Sequence, residues 1–188
     1  MSVFDDIKES VENYILQFTR NYKKSSRWFR YNLGYAIIHC LDCLEKANKI
    51  FEISNKPEIP IHPSCRCYYL PLQAVNIGEA TKLGEEGADY YLKHYRKLPD
   101  YYITKKEAKK LGWRSYKGNL DQVAPGKMIG GDIYYNKPPY LPEKEGRIWY
   151  ECDVDYQGGY RNNYRIVYSN DGLMFLTDSH YLNFIAIE

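Results

Sequence analysis

Glu151 and His180 are side chains that can hold opposite protonation states at mildly acid to neutral pH. Their ordinary pKa values lie near about 4–5 and about 6.5. Period two along Arg147-Ile148-Trp149-Tyr150-Glu151-Cys152-Asp153-Val154 puts Tyr150, Cys152 and Val154 on one face of a strand. Trp149, Glu151 and Asp153 take the other. The first set reads as the core face, so Glu151 is expected on the exposed one. Arg161 and Arg165 follow, with Arg165 opening the next strand, and His180 and Tyr181 sit at the last turn. Lys105 falls at a helix N-terminus, where backbone N–H groups and the dipole favour an anion. An acid/base pair with three cations suits phosphodiester cleavage without a metal. The cations would stabilise a pentacovalent phosphorane dianion, and the internal nucleophile would be the ribose 2′-OH, which DNA lacks. Taken alone, a lone Glu and a lone His on a sheet are more often solvated or structural. Asp178-Ser179-His180 is no hydrolase triad, because consecutive residues point apart.

A second constellation lies upstream. Cys40-x-x-Cys43 is followed by His62-Pro-Ser-Cys65-Arg-Cys67, while Cys152 stands alone. Two close thiolate pairs suit tetrahedral Zn²⁺, each clamping one edge of the tetrahedron. The expected ligands are Cys40, Cys43, Cys65 and Cys67, with His62 as an alternative. Reduced cysteines without a metal and disulfides stay open as other readings. The N-terminus lacks the charged and apolar regions of a signal peptide, which weakens the disulfide reading. No βαβ pattern surrounds the C-x-x-C, which weakens a redox role. Cys152, on the core face, reads as inert filling.

The elements that must position these residues follow from periodicity. Val3, Phe4, Ile7, Val11, Tyr14, Ile15 and Phe18 lie on one helical face over residues 3–22. Trp28, Phe29, Leu33, Ile37, Cys40 and Leu44 continue the pattern over 26–46, predicting a helical hairpin turned at Lys23-Lys24-Ser25-Ser26. Prolines break residues 55–64, residues 70–80 read as a linker, and a helix is expected at about 83–96, stopped by Leu98-Pro99-Asp100. Thr104-x-x-Glu107 is a capping box, and Leu111-Gly112 ends that helix. Gly/Pro/Asn-rich loops are expected at 117–131 and 136–146. Alternating segments at Arg147–Asp153, Arg165–Tyr168, Leu173–Thr177 and Tyr181–Ile187, separated by turn signals, predict strands. Helices first and strands last is the α+β pattern, an antiparallel sheet with helices on one face.

Composition bounds the partners. The chain has 188 residues, with Lys+Arg 26 against Asp+Glu 24, so a nucleic acid would have to meet a local patch and not a global basic field. No run of about 18 apolar residues is present, so no membrane-spanning helix is expected. Tyr is the conspicuous excess, at 21 residues, and points to β-structure and stacking surfaces.

Several strings resemble the barnase family of bacterial ribonucleases, nearly without gaps from about Gly87 to Glu188. They are Leu98-Pro99-Asp100-Tyr101-Tyr102-Ile103-Thr104-Lys105-Lys106-Glu107-Ala108, Val123-Ala124-Pro125-Gly126-Lys127-Met128-Ile129-Gly130-Gly131-Asp132-Ile133, Gly146-Arg147-Ile148-Trp149-Tyr150-Glu151, Tyr160-Arg161-Asn162, Arg165-Ile166-Val167-Tyr168-Ser169 and His180-Tyr181. The resemblance implies a barnase-like α+β fold over 79–188 and a cyclising endoribonuclease that needs no metal or cofactor for catalysis. Glu151 would be the general base and His180 the general acid. Lys105, Arg161 and Arg165 would contact the phosphate, and Tyr181 would be a substrate-side aromatic. Asp132 would organise the base-binding loop, and Arg147 and Asp171 would form a structural ion pair. The loop itself reads Tyr134-Tyr135-Asn136-Lys137-Pro138, all taken as substrate-binding except Pro138. Pro138 stands where the family carries its guanine-binding carboxylate, which predicts a weakened guanine preference. The family's inhibitor is barstar-like, so a barstar-like partner is expected.

Residues 35–72 resemble the C-terminal end of phage Mu F-like minor head proteins, through Cys40-Leu41-Asp42-Cys43, Lys49-Ile50-Phe51 and Ile61-His62-Pro63-Ser64-Cys65-Arg66-Cys67. This implies a prophage- or virion-associated toxin: an α-helical, Cys-rich adaptor at 1–78 carrying a ribonuclease at 79–188. It would be cytoplasmic or phage-particle-borne and would act on RNA in a target cell. The alternative is a non-catalytic phage structural or RNA-binding protein.

Overall fold

The computed structural model describes residues 22–35 and 38–188. The helix expected at 3–22 lies outside them except for its last residue. Among the described residues a nine-stranded sheet runs in the order β2-β1-β3-β9-β8-β7-β6-β5-β4. Its second half is an antiparallel meander of β5 (Met128–Tyr134), β6 (Trp149–Asp153), β7 (Arg165–Ser169), β8 (Met174–Thr177) and β9 (Ile185–Ile187). The two-residue β4 (Tyr102–Ile103) adds in parallel beside β5. None of the described helices is long and apolar enough to cross a membrane.

Alternation along the meander sorts side chains onto two faces. Cys152, Val154, Ile166, Leu176, Ile185 and Ile187 pack under Ala88 and Leu92 of helix α2 (Ala88–Tyr95). The opposite face carries Trp149, Val167, Phe175 and Ala186. Asp89, fully buried on α2, accepts from the Gly78 and Ala80 backbones at 2.7 and 3.1 Å and from Thr81 Oγ1 at 2.8 Å, which ties the preceding turn to the helix. Helix α3 (Lys105–Lys110) opens with the expected capping box. Together with α4 (Leu120–Val123) it closes a small core of Ala108, Trp113, Leu120, Ala124 and Ile129.

The loop expected at 117–131 gives way to β5 at Met128. The glycine pair there is a strand device and not a breaker. Gly130 lies so close to Cys152 and Tyr102 that a Cβ would sit 2.7 and 2.6 Å from their side chains. Gly131 has φ +88°, and the register against β6 shifts between Gly130 and Asp132. A bulge with glycine in a left-handed conformation re-aims the following residue. Asp132 thereby comes opposite Glu151.

The N-terminal part departs most from expectation. The predicted helix at 26–46 is strand β1 (Lys23–Asn32), which runs straight through the expected Lys23–Ser26 turn. Helix α1 covers only Leu41–Lys46. The supposed linker at 70–80 begins as β3 (Tyr68–Val75), and β2 (Ile50–Glu52) forms the outer edge. The described part of the 1–78 module is therefore largely β, not α-helical. The physical reason for the misreading lies in the strand. Its buried residues are Ser25, Trp28 and Tyr31, a spacing of three that imitates a helix. The register against β3 shifts between Lys24 and Phe29, so a bulge breaks the period of two. Ser25 Oγ satisfies this bulge by accepting from the Arg27 and Trp28 backbones at 3.1 and 2.9 Å, while its own hydroxyl donates to Glu188. The sheet is continuous across residue 78, because β3 pairs in parallel with β9 through Ala74–Ala186 and Val75–Ile187.

Candidate active site

Strand β6 presents Glu151 and Asp153 two residues apart on the face opposite α2, and β7 sets Arg165 directly across from Asp153. Glu151 is not exposed as expected: the residue keeps 6% of its surface accessible. Two elements close over it. Lys105, at the first position of α3, donates from Nζ to Oε1 at 2.5 Å, and the Tyr181 hydroxyl donates to Oε2. Burial pushes the Glu151 carboxyl up. The hydrogen bonds from Lys105 and Tyr181, with the charges of Lys105 and Arg161, outweigh it and leave the group below its ordinary value. A buried carboxylate kept ionised in this way can only accept hydrogen bonds or a proton and has none to give.

Lys105 owes its place to the neighbouring strand β5. Its backbone N–H donates to Asp132 Oδ2 at 2.9 Å, so the first N–H of α3 is already taken by a carboxylate. Asp132, expected to organise the base-binding loop, is half-buried and holds the start of the helix from the bulge in β5.

The arginines are fixed by a residue that sequence reading placed on this face but gave no role. Asp153 is 1% exposed. It accepts from Arg161 Nη2 at 2.6 Å and Nε at 2.8 Å, and from Arg165 Nε at 2.9 Å. Burial alone would lower the Arg161 pKa, but the Asp153 carboxylate raises it, so the guanidinium stays charged. Arg165 also donates to the Tyr164 carbonyl at 2.5 Å and to Asn162 Oδ1 at 3.2 Å. The signal for Asp153 was present: it is the next same-face residue after Glu151 on a period-two strand.

His180 and Tyr181 lie in the turn after β8, which is why β9 begins at Ile185 and not at the expected Tyr181. Both have positive φ, +53° and +70°. Two such non-glycine residues in succession need an over-determined turn. Buried Thr177 supplies it, its Oγ1 accepting from the Tyr181 and Ser179 backbones at 2.9 and 3.4 Å. Exposed His180 sets its ring edge-on to Tyr181 at 5.0 Å. Tyr181, expected only to meet substrate, links the imidazole's neighbourhood to Glu151. Tyr134 stacks on Tyr181 at 5.0 Å.

Beside this cluster lies a groove of about 450 Å³ lined by Tyr134, Tyr135, Asn136, Lys137, Glu143 and Trp149 among others. Asn136 holds the loop shape by exchanging two hydrogen bonds with the Leu141 backbone, each 3.0 Å. Tyr135 is 74% exposed, free for a stacking partner. Pro138 is exposed and offers no side-chain acceptor, whereas Glu143, from beyond the loop, brings a carboxylate to the same groove. Arg147 and Asp171 do pair, in two parallel bonds of 2.9 and 2.7 Å.

Comparison with known proteins adds an independent line. Residues 85–188 match the family model described as ribonuclease. The chain is 50% identical over 103 residues to a ribonuclease of Heyndrickxia coagulans, an alignment covering 55% of this chain and 94% of that protein. It is equally identical over the same length to ribonucleases of Bacillus intermedius and Bacillus pumilus, of which 64% is covered in each case. The chain belongs to the ribonuclease family. The matched stretch contains Lys105, Glu151, Asp153, Arg161, Arg165 and His180, so the buried cluster lies wholly within the ribonuclease part. RNA is the substrate class that this membership implies.

The upstream cysteines form a separate cluster at the other end of the sheet. Donor atoms of Cys40, Cys43 and His62 lie within 4.8 Å of one another, as do those of Cys43, Cys65 and Cys67. Cys152 is apart from them, fully buried on the α2 side, and burial pushes its thiol far up, which fits inert packing.

Proposed function

We propose that this ribonuclease cleaves single-stranded RNA endonucleolytically by metal-independent transesterification. Glu151 takes the proton of the ribose 2′-OH, and the freed oxygen attacks the adjacent phosphorus. His180 protonates the departing 5′-oxygen, so the product is a 2′,3′-cyclic phosphate and a free 5′-hydroxyl. Water then hydrolyses the cyclic ester with the two roles exchanged. Lys105, Arg161 and Arg165 carry the charge that develops on the equatorial phosphoryl oxygens. Removal of one such preorganised contact typically costs about 10²–10³ in rate.

The observation that carries this reading is the state of Glu151: buried, yet kept ionised by Lys105 and Tyr181 beside two arginines that share one carboxylate. The gathering of three cations and two carboxylates on one sheet face is the arrangement that a phosphorane dianion requires. His180 supports the reading by its exposure, which lets it exchange protons with solvent and reach a leaving group.

Tyr134, Tyr135, Asn136 and Lys137 form the base side, where stacking on Tyr135 would contribute about 1–3 kcal/mol. Pro138 removes a side-chain partner for guanine, so the base preference is weaker than a carboxylate in that place would impose. A cationic cleft of this kind also fits an acidic, barstar-like inhibitor that offers carboxylates where RNA offers phosphates, and a toxin role for the chain is the matching biological reading. Incubation with a defined oligoribonucleotide in EDTA tests the chemistry. Cyclic phosphate termini with 5′-hydroxyl partners are expected. Uncut RNA, or 5′-phosphate termini, overturns it.

A further inference from the structure

We propose that Cys40, Cys43, His62 and Cys65 hold one zinc ion that fastens the residue 38–67 loops to β1, with Cys67 outside the tetrahedron. Spacing alone favoured Cys67 over His62. The Cys67 donor lies within 4.8 Å of those of Cys43 and Cys65, so His62 is chosen on the form of its arm and the orientation of its ring.

The two arms have the same form. Cys40 and Cys43 flank the start of α1, where the Cys43 N–H donates to Cys40 Sγ at 3.4 Å, a contact that supports a thiolate. His62 and Cys65 flank a turn closed by the Cys65 N–H on the His62 carbonyl at 3.0 Å. Each arm therefore offers two donors separated by two residues, with a backbone N–H closing the turn between them.

The edges fit. With metal–sulfur bonds of about 2.3 Å and metal–nitrogen bonds of about 2.0–2.1 Å, tetrahedral angles require S···S of about 3.8 Å and S···N of about 3.6 Å. Cys43 Sγ lies 3.8 Å from Cys65 Sγ and 3.4 Å from His62 Nε2. The S···S value also excludes a disulfide between Cys43 and Cys65, whose bond would be about 2.05 Å.

The outer hydrogen bond of the histidine suits ligation. Its Nδ1 faces the Pro63 carbonyl oxygen at 2.8 Å. A carbonyl can only accept, so Nδ1 carries a proton, and Nε2, which faces Cys43, is the nitrogen left to bind a metal. Histidine ligands are commonly oriented by this kind of outer hydrogen bond. The Tyr31 hydroxyl donates to Cys43 Sγ at 3.5 Å from the opposite side.

The local core explains why a metal is needed. Among the described residues the fully buried members of this cluster are Tyr31, Cys43 and Cys67, with Leu33, Phe51, Ile61, Cys65 and Tyr69 packed partly buried against them, a small patch for the loops of 38–67. A patch this small rarely stays ordered without a staple. From β1 to β6 is five strand spacings, roughly 24 Å, so the zinc site and the catalytic cluster stand or fall separately.

The experiment uses the full chain, purified without chelator. Elemental analysis should find one zinc per chain. Replacement with Co²⁺ should give tetrahedral d–d bands and a charge-transfer intensity that counts three thiolates. His62→Ala and Cys43→Ser should lose the metal, while Cys67→Ser and Cys152→Ser keep it. Folded, metal-free protein that takes up no Co²⁺ overturns the site. A cobalt spectrum of four thiolates, or metal kept by His62→Ala and lost by Cys67→Ser, overturns the ligand set. The cobalt count on the unaltered chain decides the matter even if a variant fails to fold.

Discussion

Asp153→Asn is the sharpest probe of the reasoning, because the substitution keeps shape and removes charge at a point where two arginines converge. Asp153 is 1% exposed and receives charge-assisted bonds from both Arg161 and Arg165. Removing one partner of a buried ion pair typically costs about 3–5 kcal/mol, because the other charge is left unpaired. Here the penalty divides unequally. The Arg161 side chain keeps 20% exposure and can turn partly to water, whereas Arg165 keeps 6% and cannot. Arg165 retains the Tyr164 carbonyl and Asn162. The expected loss is therefore nearer about 3 kcal/mol, which for a chain of this size lowers Tm by roughly 6–12 °C. Since Arg161 and Arg165 also hold the proposed phosphate site, kcat on a dinucleotide should fall by about 10²-fold or more in the folded variant. Urea denaturation and steady-state kinetics read the two effects. A double-mutant cycle with Arg161→Gln should return a coupling of about 1–3 kcal/mol. A variant within about 0.5 kcal/mol of the parent, with unchanged kcat and additive cycle energies, would refute the claim that Asp153 positions the arginines.

Three further outcomes are expected. Glu151→Gln should lower kcat by about 10²–10⁴-fold while RNA binding, measured by fluorescence anisotropy, persists; cleavage at the parental rate would remove Glu151 as the base. The Arg147 guanidinium, against burial and with help from Ser169 and Lys144, brings the Asp171 carboxyl down to about 2. A depressed native pKa contributes stability above the unfolded value of about 3.9 and loses it as pH falls toward 2. The group is partly exposed, so the contribution is small, about 1 kcal/mol or less, and Arg147→Ala should flatten that acid-side slope in thermal melts between pH 4 and 2. On dinucleotides, the ratio of initial rates for GpN over ApN should be modest, since losing a carboxylate partner to a base edge removes about 1–3 kcal/mol of discrimination. An undiminished guanine preference would show that loop backbone groups, or Glu143 across the groove, suffice.

The residues proposed to do the chemistry were legible because strand alternation and helix capping are local. Period two on Arg147–Val154 sorted Glu151 and Asp153 onto one face, and the Thr104–Glu107 box marked where α3 starts and hence where Lys105 stands. The strands of the meander were legible for the same reason, while Gly130-Gly131 read as a loop because a bulge and a close backbone approach look like breakers in a one-dimensional string. Trp28, Phe29 and Leu33 read as part of a helical face because a bulge breaks the strand's alternation, and only pairing to β3 and through it to β9 holds that segment extended.

Tertiary structure alone decided the surroundings of Glu151. Its burial depends on Lys105, 46 positions earlier, and Tyr181, 30 positions later, converging from a helix start and a turn. The meeting of the Cys40–Cys43 arm with the His62–Cys65 arm likewise rests on distances that sequence spacing does not contain. Local patterns decide which face a side chain takes. Which distant charges meet it there, and therefore whether it stays ionised, depends on chain segments that only the packed fold brings together.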